Sequence, residues 1–242
     1  MARLSVNVNK VATLRNARGG EVPSVLAAVR TILGAGCCGI TVHPRADERH
    51  IQRRDVIEIA AELAPLRERI EFNIEGDPRA DLMDLVCELR PHQCTLVPVL
   101  PGEITSQAGW PASTSLAEIG AIVRRLQSHA VRVSMFVDPE PAAIRWAAAL
   151  GAERIELYTE PFARAFARGE GEASLAHYAE ATELAHGLGL GINAGHDLDL
   201  DNLPLFRRLP HLDEVSIGHA LISRALFVGL DTVVREYLAA LA

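Results

Sequence analysis

A closed parallel α/β barrel, (β/α)8, is the fold class this sequence predicts, and three observations predict it. Strand-like and helix-like segments alternate eight times in one direction, with no linker or low-complexity break. Phrases such as Leu33-Gly34-Ala35-Gly36 and Leu150-Gly151-Ala152 recur at helix-to-strand turns, each followed by a strand. The chain is 242 residues long and 49% apolar, enough to build a barrel of the usual size as a single domain over residues 1–242. Alternating strands and helices imply a parallel sheet, and eight of them imply closure, with extra helices beyond the basic repeat. An open doubly wound sheet is the competing fold. No G-x-G-x-x-G follows the first strand, which weakens a dinucleotide-binding version of it.

Leu4–Val8 alternates apolar and polar residues as a strand does, and the polar stretch Asn9–Gly20 reads as a loop. Pro23 suits the first turn of a helix over Val25–Leu33. Gly39–Val42 is a short buried strand and Asp55–Leu66 a helix. Ile70–Ile74 is the third strand, ending on Glu75, followed by a helix over Arg79–Leu89. The fourth strand, Cys94–Val97, leads into a longer loop over Val99–Ser113, a candidate lid by its length and glycines. A helix over Leu116–His129 precedes strand five, Val131–Val137, and a helix over Pro141–Leu150 precedes strand six, Arg154–Leu157. Tyr158–Pro161 reads as a connection before a helix over Leu175–Leu188. Strand seven, Leu190–Asn193, is followed by a short helix over Leu203–Leu209, and strand eight, Glu214–Ile217, by Leu221–Val228. Thr232–Leu241 closes the chain as an amphipathic helix.

Composition narrows the function. The net charge is −7 with both signs scattered, which argues against a nucleic-acid surface. No apolar run is long enough to span a bilayer, and the N-terminus enters strand-like sequence directly, so a soluble cytoplasmic protein with no membrane partner is expected. Cys37, Cys38, Cys87 and Cys94 form no C-x-x-C and sit in apolar surroundings; they read as reduced core or near-core residues.

In this fold the chemistry sits at the C-terminal ends of the strands. Those ends carry Asn7, Asn9 and Lys10; His43, Arg45 and His50; Glu75; Glu156; Gly195 and His196; and Gly218 and His219, with Thr105 after strand four. Any one of these could be a satisfied rim residue, but together they point to one site with several proton-transfer groups. Gly218-His219 opens a short helix whose free N–H groups attract phosphate. Arg15 and Arg18, and Arg45 and Arg49, suit anionic substrates held on the opposite rim, although Arg49 reads as solvated surface charge. His43, His50 and Glu75 match no compact ligand spacing, so no metal is expected. Lys10 could form a Schiff base with a carbonyl substrate, which keeps a barrel aldolase or lyase open.

Six motifs then bear a resemblance that covers essentially the whole chain: Asn7–Gly19, Gly39–Arg45 with Arg49–Ile51, Asn73–Glu75, Glu103–Thr105, Asn193–His196 and Ile217–Ala220. In order and spacing they resemble the pyridoxine 5′-phosphate synthase family of vitamin B6 biosynthesis. The resemblance implies condensation of 1-deoxy-D-xylulose 5-phosphate with 3-amino-2-oxopropyl phosphate to pyridoxine 5′-phosphate, phosphate and water. It implies no cofactor, phosphorylated small molecules as partners, and a homo-octamer assembled from dimers. It further implies that His43 and Glu75 are general bases, His196 the general acid and Glu156 a charge stabiliser. Asn7, Arg18, Gly218 and His219 would hold the aminoketone phosphate; Arg45, His50 and Thr105 the deoxyxylulose phosphate. Three places depart from the family pattern: Asn9-Lys10 stands for Asp-His, Asp197 for a Gly after the strand-seven His, and Tyr158 for a frequent His. Lys10 can still contact a phosphate, whereas Asp197 beside one should repel it unless it points away. A non-catalytic phosphate-binding homologue is the remaining alternative.

Overall fold

A computed structural model describes residues 2–99 and 106–242. Its strands are β1 (Arg3–Asn7), β2 (Gly39–Val42), β3 (Glu71–Gly76), β4 (Gln93–Leu96), β5 (Arg132–Val137), β6 (Arg154–Tyr158), β7 (Gly191–Gly195) and β8 (Leu212–Ile217). All pair in parallel with their neighbours, and β8 returns to β1 through Arg3↔Glu214 to Val6↔Ile217, closing the barrel in the expected order. Among the described residues the helices are α1 (Asn9–Asn16), α2 (Val25–Gly34), α3 (Arg53–Leu63), α4 (Ala80–Leu89), α5 (Leu116–Ser128), α6 (Pro141–Ala149), α7 (Glu160–Ala167), α8 (Gly171–Gly187), α9 (Leu203–Phe206), α10 (His219–Val228) and α11 (Leu230–Leu241). No helix of the described residues is long and apolar enough to cross a membrane.

The strand period of two sorts each strand into an outer and an inner row. Leu4, Val6, Ile40, Val42, Ile74, Cys94, Leu96, Val133, Met135, Ile155, Leu157, Ile192, Val215 and Ile217 form the outer row, and all are buried beneath the helices. The inner row is polar. Ser5 and Thr41 hydroxyls meet at 2.7 Å, Asn73 Nδ2 donates to Thr41 at 3.4 Å, and Thr95 Oγ1 donates to Asn73 at 3.1 Å. Asn193 on β7 donates to Gln93 on β4 at 3.5 Å, a bond that crosses the barrel. Arg3, Glu71, Arg132 and Glu214 close the N-terminal end as an ion cluster. Most of these polar groups satisfy one another, which offsets the cost of burying them, while among the described residues Ser134 Oγ on β5 is buried with no hydrogen-bond partner.

Three expectations change. Residues 9–16 form α1 rather than a loop: Asn7 Oδ1 accepts the Asn9 N–H at 3.0 Å, and Val11, Ala12 and Arg15 form a buried face. Pro23 lies outside α2, whose cap is Ser24, accepting from the Ala27 N–H at 3.2 Å. The segment after strand six contains α7, opened by Glu160-Pro161, with Phe162 buried against Phe206 at a ring separation of 4.9 Å. Cys37, Cys87 and Cys94 are buried free thiols, while Cys38 is half-buried.

Candidate active site

The C-terminal rim surrounds a cavity of about 450 Å3. Asn7, Asn9, Lys10, His43, Arg45, His50, Glu75, Glu156, His196, Asp197, Gly218 and His219 all line it, as does Arg49. Arg18 does not; it is an exposed residue just beyond α1. Arg15, also read as an anion ligand, is buried and donates Nη2 to Asp55 Oδ2 at 2.9 Å, so it is committed to structure. Thr105, with Glu103 and Ile104 of its motif and much of the Val99–Ser113 loop, lies outside the described residues. The later part of that loop is anchored: Trp110 Nε1 donates to Leu96 O at 2.9 Å and Gly109 N to Asp138 Oδ2 at 3.1 Å.

The groups expected to hold anions do not lie on opposite rims. Because β1 pairs with both β2 and β8, Lys10, Arg45, His50 and His219 share one arc of the rim. Gly218 suits this close approach: a Cβ on it would lie 3.0 Å from Asn7 Cβ and 3.1 Å from Asn7 O, tighter than ordinary contact, where β8 passes into α10. The N–H groups that open α10 face the same cavity as Lys10 and Arg45.

Three of the groups expected to move protons, His43, Glu75 and Glu156, are buried, and burial tunes them, whereas His196 is partly exposed. His43 is pushed down to about 3, first by burial and then by the charges of His50, Arg45 and Arg79, so it is a neutral imidazole at physiological pH. His50 falls to about 4, by burial and then Lys10 and Arg45, and its Nδ1 accepts the Ile51 N–H at 2.9 Å. It therefore presents Nε2–H as a donor. Glu75 is held well above the carboxylate range by burial and then by Glu156 and Glu214. Its Oε2 lies 3.9 Å from His43 Nδ1 and accepts from Asn7 Nδ2 at 3.4 Å. Glu156 is raised to about 7 by burial, against the pull of His196. Among the described residues, His43 Nε2 and Glu156 Oε2 are buried polar atoms with no hydrogen-bond partner. Gly195 makes room for Glu156, since a Cβ there would lie 2.3 Å from Oε1.

Two departures acquire a physical reading. Asn9 Oδ1 accepts the backbone N–H of His43 at 2.9 Å, an acceptor role that an amide fills as well as a carboxylate. Asp197 does line the cavity, but its Oδ2 lies 2.5 Å from His196 Nδ1, and its pKa is depressed by that bond and by His219 and Lys10. Sequence reasoning missed Ser216, Phe136, Ser106, Thr13 and Leu198 as cavity residues. Ser216, which lines the cavity with Glu75, was findable: it stands two residues before Gly218 on the inner row of β8. Among the described residues no group of three or more His, Cys, Asp or Glu is placed to hold a metal.

Glu156 makes a pH prediction. An unfolded-state glutamate loses its proton near the ordinary carboxylate value of about 4.5, while the folded one keeps it to about 7. Between those values the native state binds the extra proton, so stability falls as pH rises through the window, and the loss is complete above it. Glu156→Gln is therefore expected to stabilise the ligand-free protein at pH 8 by roughly 2–3 kcal/mol, and by little at pH 4, in urea titrations.

Fold and cavity together define a (β/α)8 barrel whose C-terminal rim gathers titratable side chains with Lys10 and Arg45 around one cavity. The chain belongs to the family described as pyridoxal phosphate biosynthesis protein PdxJ, whose pattern matches residues 4–242. It is 50% identical over 238 residues to a pyridoxine 5′-phosphate synthase of Bacteroides thetaiotaomicron, covering 98% of each chain. It is 48% identical over 254 residues to a pyridoxine 5′-phosphate synthase of Leptospira biflexa, covering 100% of this chain and 98% of the other. Among solved structures, KGPDC from Streptococcus mutans superposes with a TM-score of 0.65 at 10% identity, covering 100% of this chain and 97% of that one, a likeness of fold alone.

Proposed function

We propose that this chain is a pyridoxine 5′-phosphate synthase, joining 1-deoxy-D-xylulose 5-phosphate to 3-amino-2-oxopropyl phosphate with release of phosphate and water. Family membership with near-complete coverage supports the reaction. The observation that carries it into this structure is the gathering of buried His43, Glu75 and Glu156 with the partly exposed His196 in one cavity that Lys10 and Arg45 also line. Condensing an amine with a ketone expels water, and expelling phosphate from a carbon chain needs a proton removed nearby. Each departing oxygen needs a proton delivered, and each new double bond needs one withdrawn, so several titratable groups must face one ligand. Neutral His43 is suited to accept a proton and Glu75 to exchange one with it; His196 is suited to deliver one. Glu156, as a carboxylate, would stabilise the cationic imine-type intermediates. Arg45, His50, Lys10 and the start of α10 would hold the two phosphates, with Asn7 beside Gly218. Arg18 and Thr105 remain expected ligands by resemblance.

Purified protein given both substrates is expected to release phosphate and to form a product with pyridoxine absorbance. Phosphate release without a ring product would leave only a lyase, and borohydride trapping of a substrate on Lys10 would favour an aldolase. The resemblance also supports a cytoplasmic homo-octamer, for which Leu226 and Phe227, 67% and 88% exposed, offer apolar surface.

A further inference from the structure

We propose that Asp197 is a positioning residue for His196: its carboxylate holds the imidazole proton on Nδ1, so that Nε2 is the nitrogen that exchanges a proton with substrate. This rests on the reading of His196 as the general acid, and Asp197 stands where the family pattern has glycine. His196 Nδ1 and Asp197 Oδ2 are 2.5 Å apart, and an ionised carboxylate only accepts, so the shared proton belongs to Nδ1. In the neutral ring Nε2 then carries the lone pair, and in the charged ring Nε2–H is the proton available for transfer.

The backbone is shaped to bring the two side chains together. His196 and Asp197 have φ of +91° and +60°, the left-handed region that glycine occupies without strain. Neighbours hold that turn in place. Thr159 Oγ1 donates to Gly195 O at 2.8 Å and also to His196 O, while Asn202 Nδ2 donates to Asp197 O at 3.1 Å. Such over-determination is what lets a strained conformation persist at a functional site. The Tyr158 ring meets His196 edge-to-face at a centroid separation of 5.2 Å, which restricts ring rotation. Among the described residues, the charged or titratable groups around the pair include Glu156 and Tyr158 on β6, Lys10 on α1 and His219 on α10. Lys10 and His219 favour the ionised carboxylate, which explains how an acidic side chain is tolerated where phosphate is expected.

Two substitutions and one spectrum test this. Asp197→Gly removes the carboxylate and relieves the backbone; kcat is expected to fall about 10–100-fold, with KM little changed and the thermal midpoint not lowered. Asp197→Asn keeps the shape and tolerates the left-handed backbone, but its NH2 group donates to Nδ1 and drives the ring proton to Nε2. Its kcat is expected to fall below that of the glycine variant, the opposite of the order a merely structural role would produce. In ligand-free protein carrying 15N-histidine, at alkaline pH, His196 is expected to show a protonated Nδ1 and an unprotonated Nε2, assigned against His196→Gln. A protonated Nε2 in the wild type, or wild-type kcat in the glycine variant, overturns the inference. A wild type that makes no ring product overturns the proposed activity instead, and the spectrum then decides the tautomer by itself.

Discussion

Glu75→Gln is expected to lower kcat by about 10²–10⁴-fold, with KM within a few-fold, in steady-state assays of phosphate release and ring formation. That corresponds to roughly 3–5 kcal/mol of transition-state stabilisation. Gln keeps the volume of Glu75, can still accept from Asn7 Nδ2, and adds no charge to a site that already disfavours one. What it removes is the ability to exchange a proton with His43, whose Nδ1 is 3.9 Å away. His43→Gln should cost a similar factor. The double variant should be little worse than either alone, because two groups passing one proton act as a unit. Independent, multiplicative losses would show that the pair is not a relay, and wild-type kcat in Glu75→Gln would remove Glu75 from proton transfer altogether.

Asp55→Ala is expected to destabilise the fold by about 3–5 kcal/mol in urea unfolding, because it leaves the buried Arg15 guanidinium without its carboxylate. For a chain of this size that lowers the melting temperature by on the order of 10 °C. Asp55 also helps to start α3, since its Oδ2 accepts the Gln52 N–H at 2.8 Å and completes the capping box of that helix. The same cluster reaches the site. Arg15 Nη2 and Asn16 Nδ2 donate to His50 O at 3.4 and 2.8 Å, so loosening α1 from α3 also frees the segment that carries His50. Folded Asp55→Ala protein should accordingly show a raised KM. Replacing both partners with apolar residues, Arg15→Met with Asp55→Leu, should recover much of the stability, since no buried charge is then stranded. Failure to recover it would place the energy in the α3 cap rather than in the ion pair.

The barrel was legible because its signals are local. Apolar strand cores, glycine stops and helical periodicity each occupy fewer than about 15 residues, and eight repetitions leave few alternatives. Strand ends were legible for the same reason, which is why His43, Glu75, Glu156, His196 and Gly218 were expected on one rim and line one cavity. The helix at Asn9–Asn16 was not legible, because its buried face includes an arginine, and only the distant Asp55 makes that burial possible. Arg15 and Arg18 look alike in sequence, yet one is spent inside the fold and the other stands outside the cavity. Neighbourhood decides such cases, and a linear pattern does not contain it.

By itself the amino-acid sequence determined the strand and helix alternation, the barrel and the residues available for chemistry, since these follow from backbone periodicity and turn geometry. Only the tertiary structure decided which charges those residues carry. Closure of β8 on β1 brings Lys10, Arg45, His50 and His219 onto one arc. It also buries Glu75, Glu156 and His43 together, and low local dielectric then raises the two carboxyl groups and keeps the imidazole neutral. The left-handed turn after β7 sets Asp197 against His196. Protonation state depends on distance and burial across the barrel, and those exist only once the chain has folded.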